Sequence, residues 1–332
     1  MRRLAAELVP WLLVLALAAC GSGTGPGHGE PPANAPTADA VATVEGAPGE
    51  PVAEIPVIST EAQMLAHTAL PLDAYSLEFD HQLIEKARDK LVADCLVEMG
   101  FDLSQYAPYR PLFPEPPPRL PRLRQYGVGI MAEVQQYGYD TPPKYAGPSQ
   151  PPVPPPMSEA LATALMGPVE ERPPAEPLEY GPGTVYFPGF TPDSCIGRSW
   201  AALEVADHRE ISTGHGSVLV TNLIVETFNR AKTDSRVVAA DDAWSACMKE
   251  KGFDVPSPHE AEITYGQLDR AAAIPAATAD VECKYATNYF GIRYGVEVAY
   301  QKAAIEEHFQ ELEAIAAAHR ITLEKAKAIV DE

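Results

Sequence analysis

Basic residues are scarce in this chain: 25 Lys and Arg stand against 46 Asp and Glu, a formal net charge of −21. A nucleic-acid surface needs a basic footprint, so recognition of DNA or RNA is excluded as a main role. Adhesion to anionic lipid by charge alone is disfavoured on the same ground. Beyond residue 20 no apolar run approaches a membrane span, which needs about 18 residues. The H-E-x-x-H zinc motif, the C-x-x-C dithiol and the G-x-S-x-G nucleophile elbow are all absent. No alternation of strands and helices suggests the two α/β lobes of a solute-binding protein. No cofactor or metal is expected.

What is present starts at the N-terminus. Arg2 and Arg3 precede an apolar run over residues 8–19, interrupted early by Glu7 and Pro10. Leu17-Ala18-Ala19-Cys20 then resembles the lipobox of bacterial lipoproteins. The resemblance implies a signal peptide over residues 1–19, a diacylglycerol on the Cys20 thiol, and an address at the outer face of the cytoplasmic membrane. The blander reading is an ordinary secretory signal followed by a chance cysteine. Residues 20–66 read as a disordered tether, rich in Gly, Pro and Ala, with no Lys, Arg or aromatic residue. As a coil it would hold a folded domain about 40 Å from the bilayer.

The folded domain is expected over residues 67–332, in two halves, 67–208 and 209–332. Export implies an oxidising compartment, and four cysteines follow Cys20: Cys95, Cys195, Cys247 and Cys283. Two structural disulfides are expected, with three pairings open.

The fold class reads as all-α, organised on one long amphipathic C-terminal helix over residues 277–319. Its apolar stripe runs through Tyr285, Tyr289, Ile292, Val296, Ala299 and Ala303, and continues at Phe309, Leu312 and Ile315. Pro275 stands upstream of it, Thr278 reads as its N-cap, and a short final helix is capped by Thr322. Earlier helices are predicted over 80–99, 128–137, 158–166, from the Thr191-Pro192-Asp193 start toward His208, over 217–232, and from the Asp234 cap to Gly252. Residues 107–192 hold 22 of the 34 prolines. This insertion is expected to wrap the surface, docked by Tyr126, Tyr137, Tyr139, Tyr145, Tyr180, Tyr186 and Phe187.

One phrase occurs twice. Cys95-Leu-Val-Glu-Met-Gly-Phe-Asp102 and Cys247-Met-Lys-Glu-Lys-Gly-Phe-Asp254 share C-x-x-E-x-G-F-D at a helix end. A proline-containing loop follows each copy, then Thr-x-Asp and a cysteine that opens a new helix. The economical pairing is Cys95–Cys195 and Cys247–Cys283, two helical hairpins each pinned by a disulfide. Coincidence at two Gly-capped ends explains the Gly-Phe but not the repeated Cys and Glu.

These residues carry a second resemblance. Trp244-Ser-Ala-Cys-Met-Lys-Glu-Lys-Gly, Ala279-Asp-Val-Glu-Cys, Val298-Ala-Tyr-Gln, Ile305-Glu, Arg122-Leu-Arg-Gln-Tyr-Gly-Val and Tyr137-Gly-Tyr are similar to a group of actinobacterial secreted proteins and lipoproteins of unknown function. The resemblance implies a shared helical fold with paired cysteines and an envelope location. It carries no activity.

Candidate chemistry is thin. Thr213-Gly-His-Gly-Ser217 places His215 beside Ser217, a weak catalytic candidate pair, although Ser217 also suits an N-cap. His259, Glu260 and Glu262 suggest a metal less readily than a solvated loop. Asp241-Asp242 and Glu306-Glu307 are neighbours on helices and point apart. Tyr285, Tyr289, Tyr300 and Phe290 read as core before they read as an aromatic groove. The expected function is a lipid-anchored module that binds an envelope protein or wall partner. The alternative is an envelope hydrolase with a site assembled from distant residues.

Overall fold

In a computed structural model, the structure describes residues 41–107, 118–146, 156–180, 183–205, 207–211 and 213–331. The expected signal peptide, Cys20 and the first half of the expected tether lie outside the described residues, as does most of the 151–156 proline run. The fold is helical with two small hairpins, and its two disulfides are Cys95–Cys195 and Cys247–Cys283. Asp39–Glu332 form one unit.

Both copies of the repeated phrase end a helix in the same way. α2 (His81–Glu98) and α8 (Ser235–Glu250) each stop at a glycine in the left-handed region, Gly100 at φ 84° and Gly252 at φ 92°. Phe101 N–H then returns to the Leu96 carbonyl, and Phe253 N–H to the Met248 carbonyl, each at 2.9 Å. Such a Schellman closure satisfies two orphan carbonyls and needs a residue that tolerates positive φ. Cys95 and Cys247 sit one turn before these stops. Cys195 opens α5 (Cys195–Ala202), as expected, whereas Cys283 lies well inside α10 (Arg270–Ala286).

The expected long helix is three helices: α10, α11 (Tyr289–Glu307) and α12 (Phe309–Asp331). The first break is Asn288, whose φ of 54° is left-handed. The second is His308. Thr278 is no cap: α10 starts from Asp269, whose side chain accepts the Ala272 N–H, and Pro275 sits within the helix. Thr322 lies buried inside α12, so the short final helix is part of that longer one. Thr191 likewise yields to Ser194, which caps α5 by accepting the Gly197 N–H. Asp234 caps α8 as expected, and Ser158 caps α4 (Glu159–Met166) by accepting the Leu161 N–H.

The tether assigned through Ala66 ends earlier. β1 (Val41–Val44) and β2 (Ala53–Pro56) form an antiparallel hairpin, followed by α1 (Glu61–Ala66). β2 lies directly on α11 because two glycines, one helical turn apart, leave room for it. A Cβ on Gly291 would stand 2.0 Å from the Pro56 carbonyl oxygen, and one on Gly295 would stand 2.5 Å from that of Glu54. Ala53 and Ile55 are thereby buried with Val237, Val296 and Tyr300. Arg236 clamps the hairpin from α8, donating to the Val44 and Pro51 carbonyls while its fork holds Asp234.

The main core surrounds Trp244 and Phe290, both fully buried, with α3 (Met131–Tyr137), α8, α9 (Pro258–Gly266) and α10 around them. Removing one such aromatic side chain costs about 3–5 kcal/mol. A second core joins α2, α4 and α5 at the Cys95–Cys195 bond. α12 packs along α2 through Ala326, Leu323, Ile84 and Ala87, tying the C-terminus to the first disulfide. After the short α6 (His208–Ile211), α7 (Val218–Lys232) covers the other side of α11.

The proline-rich insertion is partly docked. Tyr126 and Tyr139 are buried and Tyr137, Tyr145 and Phe187 half-buried, but Tyr186 is 67% exposed. The insertion also contains an unexpected hairpin, β3 (Glu176–Tyr180) with β4 (Gly183–Phe187).

Candidate functional site

His215 and Ser217 make no hydrogen bond to each other among the described residues. His215 Nδ1 is bonded to the Ser76 hydroxyl at 2.9 Å, and its carbonyl accepts the Leu77 N–H. Ser217 is 2% exposed at the start of α7, and its carbonyl accepts from the Thr221 N–H and hydroxyl. Burial pushes the His215 imidazole below its ordinary range, with Glu78 and Asp73 opposing. Ser76 is buried too, and its hydroxyl accepts the Glu78 N–H. The Gly-rich loop therefore serves to join α7 to the turn at Pro71–Tyr75. His319 Nε2 fixes it from α12, donating to the Gly216 carbonyl at 3.0 Å.

The other sequence candidates also separate. Asp241 accepts the Tyr289 hydroxyl at 2.9 Å, while Asp242 faces solvent. Glu306 and Glu307 are exposed at the end of α11. Phe290 and Tyr300 belong to the core, and the Tyr300 hydroxyl bonds Asp234. His259, Glu260 and Glu262 lie on α9 rather than in a loop. Among the described residues, no group of three or more His, Cys, Asp or Glu is arranged to hold a metal ion.

The deepest charges are committed to the fold. Asp280 and Lys284, one turn apart on α10, are both fully buried and joined at 3.0 Å. Trp244 Nε1 donates to the second Asp280 oxygen, and the Lys284 ammonium to the Val128 carbonyl. Burial raises the carboxyl and lowers the ammonium, each opposed by the other. Gly127, at φ 102°, is needed beside them: a Cβ there would meet the ammonium at 2.5 Å. Glu297, raised by burial, accepts from the Tyr126 hydroxyl and the Gln301 amide, which in turn accepts the Leu72 N–H.

Two concavities flank the turn at Arg122–Tyr126. The first is an open cleft of about 930 Å³, presenting Arg119, Arg122 and Arg124, the rings of Phe79 and Tyr145, and Pro118, Leu120 and Pro121. Its arginines are paired: Arg122 with Asp73 at 2.6 Å, Arg124 with Glu262 at 3.7 Å, Arg119 with Glu78 at 3.8 Å. Arg119 also lies over the Phe79 ring, 4.9 Å from its centroid. The cleft is lined by no histidine, serine or cysteine. The second is a narrower cavity of about 420 Å³ between α7, α8, α9 and α11, reached by Lys232, Asp241, His259, Tyr289 and Arg293. Sequence reasoning misses both. Arg122 and Arg124 fall in a quoted phrase but carry no motif, and Arg293 reads as one polar residue on an apolar helix.

No helix of the described residues is long and apolar enough to cross a membrane. Compared with family models, curated proteins and solved structures, the chain matches none.

Proposed function

We propose that this protein is a non-catalytic binding module of the cell envelope, carried at the outer face of the cytoplasmic membrane by lipid on Cys20. The observation that supports binding is the open cleft. It offers guanidinium groups, two exposed aromatic or apolar anchors (Phe79 and Leu120) and rigid prolines, and its two carboxylates, Glu78 and Glu262, are each paired with arginine. Guanidinium forks and flat apolar surfaces suit an extended partner bearing carboxylates and apolar groups. A hydrolase needs a nucleophile or water-activating base within hydrogen-bond reach of a reacting atom, and the two carboxylates of this lining, Glu78 and Glu262, face Arg119 and Arg124 instead.

The lipobox-like Leu17-Ala18-Ala19-Cys20 supports the address, and the two disulfides agree with an oxidising compartment. The likeness to actinobacterial secreted proteins points the same way.

The test uses the full chain carrying Cys20→Ser, so that retention by lipid is removed. Incubated with washed envelopes, this chain is expected to cosediment. Leu120→Glu and Phe79→Ala, both at exposed positions, are expected to weaken retention at least ten-fold, about the value of one interface anchor. Unchanged retention of both variants would contradict the reading, as would release of soluble envelope fragments by the unaltered chain.

A further inference from the structure

The second cavity contains a buried cation that no carboxylate of the described residues contacts within 4.0 Å. Arg293 on α11 is 5% exposed, yet it makes no ion pair within 4.0 Å and no hydrogen bond among the described residues. Its Nε is buried with no partner. The guanidinium is instead held between two rings, 4.9 Å from the centroid of Tyr126 and 5.4 Å from that of Phe228. Ring faces stabilise a cation through the quadrupole, but they do not satisfy five N–H donors. Among the described residues, the other arginine and lysine whose side chains are less than a tenth exposed each have a carboxylate partner, Arg236 with Asp234 and Lys284 with Asp280. Burying donors without acceptors is costly, and a guanidinium that lines a cavity can have that need met by an acceptor on a ligand.

The cavity states which anion. Its volume of about 420 Å³ falls in the range of small-molecule pockets. Phe228, Tyr126, Tyr289 and Pro258 give it apolar walls, and Lys232 adds a second cation at an exposed position. Two carboxylates, Asp241 and Glu297, lie close enough to Arg293 to interact with it electrostatically. A dianionic phosphate would face both of them with two charges. A single carboxylate attached to a flat apolar body meets the guanidinium fork with one charge and fills the ring-lined space.

We propose that Arg293 is the anchor of a binding site for a small aromatic or apolar monocarboxylate, enclosed by Tyr126, Phe228 and Tyr289 and gated by Lys232 and His259. This site is distinct from the open cleft and does not depend on the envelope-binding reading.

The experiment is calorimetric titration of the full chain carrying Cys20→Ser with phenylacetate, 3-phenylpropanoate and indole-3-acetate. Inorganic phosphate and benzyl alcohol serve as the dianionic and uncharged controls. At least one carboxylate is expected to bind, with both controls at least ten-fold weaker. Arg293→Gln is expected to lose between about ten- and one-hundred-fold, the value of a charge-assisted hydrogen bond. Because that change touches the core, His259→Trp provides a second variant. It fills the mouth from an exposed position on α9, and is expected to abolish binding while circular dichroism and disulfide content stay unchanged. The proposal is overturned if none of the three carboxylates binds, if phosphate or the alcohol binds as well as they do, or if folded His259→Trp binds them undiminished.

Discussion

Asn288 holds Ile58 as another strand would. Its side-chain Oδ1 accepts the Ile58 N–H at 2.7 Å, and its Nδ2 donates to the Pro56 carbonyl at 3.0 Å. The same residue occupies the left-handed region between α10 and α11, a conformation that asparagine tolerates better than other side chains. One residue therefore breaks the C-terminal helical run and fastens the N-terminal strand to it.

Asn288→Ala is expected to lower the unfolding free energy by about 2–4 kcal/mol, from an unsatisfied buried donor and the left-handed backbone. Asn288→Gly keeps the conformation and loses only the hydrogen bonds, so it should fall between Ala and the unaltered chain. Urea denaturation of the three proteins checks this order.

Gly291 and Gly295 yield a prediction whose sign is decided by magnitude. Alanine in a helix interior normally gains up to about 1 kcal/mol over glycine. Here the added Cβ meets strand backbone at 2.0 and 2.5 Å, and such overpacking costs about 1–3 kcal/mol. Gly291→Ala is expected to be net destabilising and to speed hydrogen exchange at Ala53 and Ile55. A stabilised variant would mean that β2 does not lie on α11.

The sequence shows what is local and conceals what is distant. The helix stops at Gly100 and Gly252, the cap at Asp234, and the repeated cysteine phrase are legible because each is decided within one turn of chain. The hairpin of β1 and β2 is not, because its residues resemble a linker and their burial depends on glycines in α11. Apolar spacing across residues 277–319 is likewise compatible with one helix. Its interruption at Asn288 is set by strand contacts that no periodicity records. At the site, Arg293 carries no motif. Only the fold shows that Tyr126 and Phe228, from separate segments, enclose it.

The Asp280–Lys284 pair is expected to behave as one unit. Asp280→Ala or Lys284→Met alone leaves a buried charge and should cost about 3–5 kcal/mol. The combined Asp280→Leu, Lys284→Met protein should lose clearly less than the sum, and a double-mutant cycle in urea measures the difference.

His319 gives a pH dependence of defined sign. Burial holds its folded-state pKa below the ordinary 6.5, although its bond to the Gly216 carbonyl opposes this. Below 6.5 the unfolded chain therefore binds the proton more readily than the folded one. Stability from this group is full above 6.5 and is lost as pH falls toward the folded-state value. His319→Gln should flatten that part of the profile. Denaturation midpoints of both proteins on either side of 6.5 provide the comparison.

Site-specific photocrosslinking on living cells tests the binding role most directly, with a photoreactive residue placed at Leu120, at Phe79, or at exposed Val225 outside the cleft. The expected result is one dominant adduct from Leu120 and Phe79 that is absent from Val225. Equal labelling from all three positions, or no reproducible adduct from the cleft, would contradict it.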